Sequence, residues 1–175
     1  LRSGDSLLVI NDLDQLIELD MKPTKNGQLR LFGRSIQKAV EEATELRSRL
    51  REHPIRDIDD VKAMARLDLA SRQSIELPKL IADAFVGCVL AEKNVVVRNA
   101  SIENVAALAD AAAESELKAT ETLFGIALRY LAKDEPHSHS RRPFHWPLEF
   151  PEVFGRENSG FDAFEGGRGG ARVRG

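Results

Sequence analysis

The chain has 175 residues, 42% of them hydrophobic and 30% charged, with a net charge of −3, a size that holds one domain or part of one. The slight acidity and a pI near 5.9 do not mark a free-standing DNA binder, which usually shows a basic patch or stripe. No apolar run reaches the length needed to cross a bilayer, and no secretory signal precedes the first apolar segment.

In chain order, Leu1-Arg-Ser-Gly-Asp-Ser-Leu-Leu-Val-Ile10 reads as a turn feeding a short apolar run, which fits a buried strand. Asp12 stands where it can cap a short helix through Leu19, and residues 23–33 carry Pro, Asn and two Gly and read as a loop. A strong helix is predicted from Ser35. Ile36, Val40, Ala43, Leu46 and Leu50 fall on one face at spacings of three and four, while Glu41, Glu42, Arg47, Arg49 and Arg51 cover the rest as a solvated surface. His53-Pro54 stops it. Asp57 or Asp59 caps the next helix, whose apolar positions are Ile58, Val61, Met64, Ala65, Leu67 and Leu69. A further helix opens around Leu77-Pro78, since proline is tolerated in a first turn. Its apolar stretch Leu80-Ile-Ala-Asp-Ala-Phe-Val-Gly-Cys-Val-Leu90 is the best candidate for a buried central helix.

Val95 to Asn99 reads as a β-branched run between helices. Ser101 is expected to cap an alanine-rich helix through about Ala113, with Asn104 where a capping box prefers Glu or Gln. The last helix runs from Glu116 to Lys133, with Leu117, Leu123, Phe124, Ala127, Leu128 and Leu131 facing inward. Helix after helix with short connections favours antiparallel neighbours. The reading divides the chain into a short strand, helix and loop over 1–33, a helical region over 34–133, an aromatic and proline-rich connector over 134–163, and a Gly/Arg-rich tail over 164–175. That tail lacks apolar periodicity and is expected to be disordered.

Candidate sites are few. His137, His139 and His145 have no companion cysteine or placed carboxylate, so they read as solvated loop residues and not as zinc ligands. Cys88 reads as a small buried hydrophobe. Being alone, it permits no internal disulfide, which fits a reducing cytoplasm. No nucleophile–base pair is placed by any motif. A lone Arg168-Gly-Gly unit is weak support for an RNA-binding segment. No catalytic residue and no metal ligand is assigned.

The densest signal is Pro143-Phe-His-Trp-Pro-Leu-Glu-Phe-Pro-Glu-Val-Phe154, followed by Gly160-Phe-Asp-Ala163. This run resembles the segment just upstream of the catalytic strand in large adenine-specific DNA methyltransferases of restriction–modification and phage-defence systems. Leu1-Arg-Ser-Gly-Asp-Ser-Leu-Leu8 resembles the element that follows their cofactor-binding half, and Lys79-Leu-Ile-Ala-Asp-Ala-Phe85 resembles a helix of the intervening region. The resemblance spans the chain to about Ala163. It implies a mainly α segment: the helical insertion region of an α/β, S-adenosylmethionine-dependent methyltransferase, with short strand remnants near both ends.

By the same resemblance, Asp5 matches the acidic residue near the cofactor's adenine. Phe161 to Ala163 would begin the catalytic strand, and Trp146 and Phe150 would pack on the helices with Pro147 and Pro151 keeping the run extended. The Gly-rich cofactor motif and the Asn-Pro-Pro-Tyr/Phe tetrad that holds a flipped adenine are not found in the sequence. Residues 164–170 read Phe-Glu-Gly-Gly-Arg-Gly-Gly in the tetrad's place. The implied reading is an internal fragment, inactive alone, that binds neither S-adenosylmethionine nor nucleic acid by itself. Its partners would be the remaining parts of the enzyme. The expected setting is cytoplasmic and off the membrane, and with Leu1 in place of Met the true N-terminus is expected to be missing. A different class of reading is a helical protein-interaction module without enzymatic activity.

Overall fold

Asp12 opens the first helix as its sequence suggests. Its carboxylate accepts from the Asp14 amide while the Gln15 side chain accepts from the Asn11 and Asp12 amides, a reciprocal cap that satisfies orphan donors at both levels. The structure, a computed structural model, describes residues 10–24, 30–131 and 143–154. Over these the chain forms α1 (Leu13–Glu18), α2 (Leu31–Glu52), α3 (Ile58–Ser74), α4 (Glu76–Ala91), α5 (Val95–Ala113), α6 (Leu117–Leu131), α7 (Trp146–Glu149) and α8 (Pro151–Phe154). It is mainly helical, with no strand element among the described residues. The expected strand remnants before Ile10 and at residues 161–163, and the Gly/Arg tail, lie outside them.

α4 is the centre of the packing, in contact with α1, α2, α3, α5 and α6. Ile81, Ala82, Ala84, Phe85 and Cys88 are buried on it. They meet Val105, Ala106 and Ala109 of α5, Leu123 and Ala127 of α6, Phe32, Ile36 and Val40 of α2, and Leu16 of α1 in one apolar cluster. Alanines at the α5 and α6 contacts let these helices lie close. Between α4 and α6 the spacing is tight enough that Gly87 packs directly on Tyr130.

Several boundaries differ from the sequence expectation, each for a physical reason. α2 begins at Leu31, not Ser35. Its first turn is stabilised by a distant residue, because the Phe32 amide donates to Asp110 Oδ1 of α5 at 2.9 Å. The valines after Asn94 are helical: the Asn94 side chain accepts from the Val96 and Val97 amides, so the cap is Asn94 and Ser101 lies inside the helix. Asp57, not Asp59, caps α3.

On α6 the buried stripe is Ala119, Leu123, Ala127 and Leu131. Leu117, Phe124 and Leu128, expected inside, are 79%, 56% and 56% exposed. The aromatic run is not extended. It folds into the two single-turn helices α7 and α8, with a proline in the first turn of each, where the missing N–H costs nothing and the fixed φ suits a helix.

Candidate functional site

The aromatic run docks along a polar seam made by α2 and α4. Lys79 and Asp83 are one turn apart on α4, so their side chains emerge on the same face. Lys79 pairs with Glu149 of α7, and Asp83 Oδ1 lies 3.0 Å from His145 Nε2. His145 is thus a buried residue and not a solvated loop histidine. In the Nε2–H tautomer the ring donates to Asp83, while Nδ1 is buried without a hydrogen-bond partner.

From α2, the buried Arg47 reaches three groups. Nη1 donates to the Glu149 carbonyl at 2.8 Å and to Glu152 Oε2 at 3.1 Å, and Nε donates to Ser71 Oγ of α3 at 3.0 Å. Ser71 in turn donates to the Ala43 carbonyl. One guanidinium therefore ties together α2, α3, α7 and α8. At the other end of the run, the Trp146 amide donates to the Ile10 carbonyl at 3.2 Å.

Apolar contacts complete the dock. Pro147, Leu148 and Pro151 are fully buried, and Leu148 belongs to the main core cluster. The expected anchors, Trp146 and Phe150, are instead half-buried. They stack on each other with centroids 5.9 Å apart, and Trp146 also meets Phe144 edge-on at 4.9 Å and Phe154 at 6.3 Å. Two faces result: His145, Pro147, Leu148 and Pro151 enter the body, while four aromatic rings cluster beside it.

Chemically the seam is a clamp. Lys79 and Arg47 each meet a carboxylate of the run. Among the described residues, no hydroxyl or thiol is bonded to the Asp83–His145 pair. The one thiol, Cys88, is buried in α4, and desolvation followed by the nearby Glu92 charge pushes it up to about 11, far from the low values of reactive cysteines.

A cavity of about 490 Å³ opens between α1, α4 and α5 over Phe85, Val89, Ile102 and Ala106. Arg30 at its rim is already paired with both oxygens of Glu103 at 2.9 Å. Among the described residues no cluster of three His, Cys, Asp or Glu is placed to hold a metal, and no helix is long and apolar enough to cross a membrane.

Of the sequence-stated candidates, Asp5, His137 and His139 lie outside the described residues. Arg47, expected on the solvated face of α2, is instead buried, because Ser71, Glu149 and Glu152 receive its guanidinium; Asp83 and Lys79 carry no site role in the sequence reading. The one available signal was position: Arg47 continues the buried series Ile36, Val40, Ala43 at helical spacing. Compared with known proteins, the chain matches no family model, no curated protein and no solved structure.

Proposed function

We propose that this chain is the helical segment of an S-adenosylmethionine-dependent, adenine-N6 DNA methyltransferase of restriction–modification or phage-defence type. In that enzyme it would act as scaffold, holding the approach to the catalytic strand in place without doing chemistry itself. One observation supports this reading above the others. Two of the sequence pieces that carry the resemblance, the Lys79–Phe85 helix segment and the aromatic run, pack against each other. Ile10, just after the first piece, accepts from Trp146 of the aromatic run. Lys79 and Asp83, both in the second piece, pair with Glu149 and His145 of that run. A helical body that grips the connector at α7 through Lys79 and at α8 through Arg47 suits such a scaffold role.

The parent reaction moves a methyl group from the sulfonium of S-adenosylmethionine to the exocyclic amine of adenine. Of the cofactor pocket only Asp5 is matched, so cofactor and DNA would be held by the remaining parts of the enzyme. The decisive experiment is to sequence the DNA flanking this coding region. A Gly-rich cofactor motif upstream and Asn-Pro-Pro-Tyr or Asn-Pro-Pro-Phe downstream, in any frame, is the expected result. Absence of both overturns the proposal. Methyl transfer to DNA by the purified chain alone would overturn the scaffold role.

A helical protein-interaction module is the second reading. The observation in its favour is the solvent-facing apolar row Ile58, Val61 and Leu69 on α3.

A further inference from the structure

Gly125 sits in the middle of α6, where a glycine weakens a helix relative to alanine. Close packing explains Gly87 but not this one: a Cβ at Gly125 would meet nothing within 4 Å. The chain's own packing therefore does not require a glycine there. Around it, on the side of α6 turned away from the core, stand Leu117, Phe124 and Leu128, all mostly exposed. At helical spacing these residues, Glu121 and Gly125 form one contiguous face. A glycine beside an apolar stripe, with Glu121 and Arg129 one turn to either side of it, suits close approach by another helix.

The charges on the same face indicate which helix. Neither Glu121 nor Arg129 is in an ion pair among the described residues; Arg129 only lies over its neighbour Tyr130. They flank Gly125 symmetrically, four residues before and four after. Across a two-fold axis passing beside Gly125, each residue n positions before it in one helix faces the residue n positions after it in the other. Glu121 then meets Arg129 twice, once on each side of the axis, and Gly125 faces the partner's Gly125 at the crossing point. Isologous pairing of this kind needs one self-complementary patch.

We infer that the chain self-associates as an antiparallel dimer through α6, centred on Gly125. This does not rest on the methyltransferase reading. The test is sedimentation equilibrium of the full chain over a concentration series, with circular dichroism to confirm that each variant is folded. A monomer–dimer equilibrium is expected. Gly125→Leu places bulk at the crossing point and should abolish the dimer while leaving the helix signal intact. Glu121→Arg and Arg129→Glu should each weaken association about tenfold or more by setting like charges opposite. The double variant Glu121→Arg/Arg129→Glu should restore it. A chain that stays monomeric throughout, a dimer indifferent to Gly125→Leu, or a double variant no better than the single ones would each overturn the proposal.

Discussion

A Cβ placed on Gly87 of α4 would stand 2.8 Å from the Cβ of Tyr130 of α6. The contact is between a backbone-proximal atom on each side, so neither helix can relieve it by rotating a side chain. Gly87→Ala should therefore push the helices apart. The overpacking cost of about 1–3 kcal/mol is set against a gain in helix propensity of about 1 kcal/mol, leaving a net loss of up to about 2 kcal/mol. Gly125→Ala, with open space at its Cβ, should stabilise the dilute monomer by about 0.5–1 kcal/mol. Urea denaturation of the two variants side by side checks both signs.

Arg47 joins four helices through one side chain that is almost fully buried. Arg47→Met keeps the aliphatic stem but leaves Glu152 and Ser71 without their cation, at a cost of about 3 kcal/mol. The loss should fall on the connector first. Trp146 fluorescence should change at lower urea than the helical circular dichroism signal, a separation of probes that the native chain should not show.

Leu148, not Trp146, is the apolar anchor of the aromatic run, being fully buried in the main core. Leu148→Ala should cost about 2–5 kcal/mol, more than Trp146→Ala at its half-buried position. Trp146 is the chain's one tryptophan, so its native emission should lie between buried and exposed limits and shift red on unfolding. If Trp146→Ala proved the more damaging change, the assignment of the anchor would be reversed.

Cys88 should resist thiol reagents in the folded chain, since burial, reinforced by the Glu92 charge, pushes its thiol up to about 11. In the unfolded chain the thiol ionises near its ordinary value, about 8.5. Between that value and 11 the unfolded state releases a proton that the folded state keeps, so this group's contribution to stability falls as pH rises. Cys88→Ala should flatten the loss of melting temperature over that alkaline range. Equal slopes for native and variant chains would show that Cys88 does not titrate differently in the two states.

Much of the helical layout was legible because caps and stops are local. Asp12, Asp57 and His53-Pro54 act where the sequence places them, and the Ile36, Val40, Ala43 stripe is buried. On α6 the larger apolar residues misled. Close helix packing selects Ala119 and Ala127 for the interior and leaves Leu117, Phe124 and Leu128 outside, and apolar size carries no information about which face meets a neighbour. Val95 to Asn99 reads as a β-branched run between helices and Ser101 as a cap, yet both lie inside α5, which Asn94 caps. The seam was illegible for a different reason. Arg47 finds Glu152, and Asp83 finds His145, only after α2, α4 and the aromatic run have come together, and pairings so distant in sequence leave no local spacing to detect.

The hydrogen bond from Trp146 to Ile10 also bears on the order of folding. α2 with α3, α4 with α5 and α5 with α6 are contacts between sequence neighbours, which can form early because little chain must be closed to make them. The bond at Ile10 closes nearly the whole described chain into a loop. Long closures slow folding more than they weaken the final state, so the connector should be the last element to dock and the first to release. In native-state hydrogen exchange its amides would then open in a separate, lower-energy step, while those of α4 exchange only when the entire body comes apart.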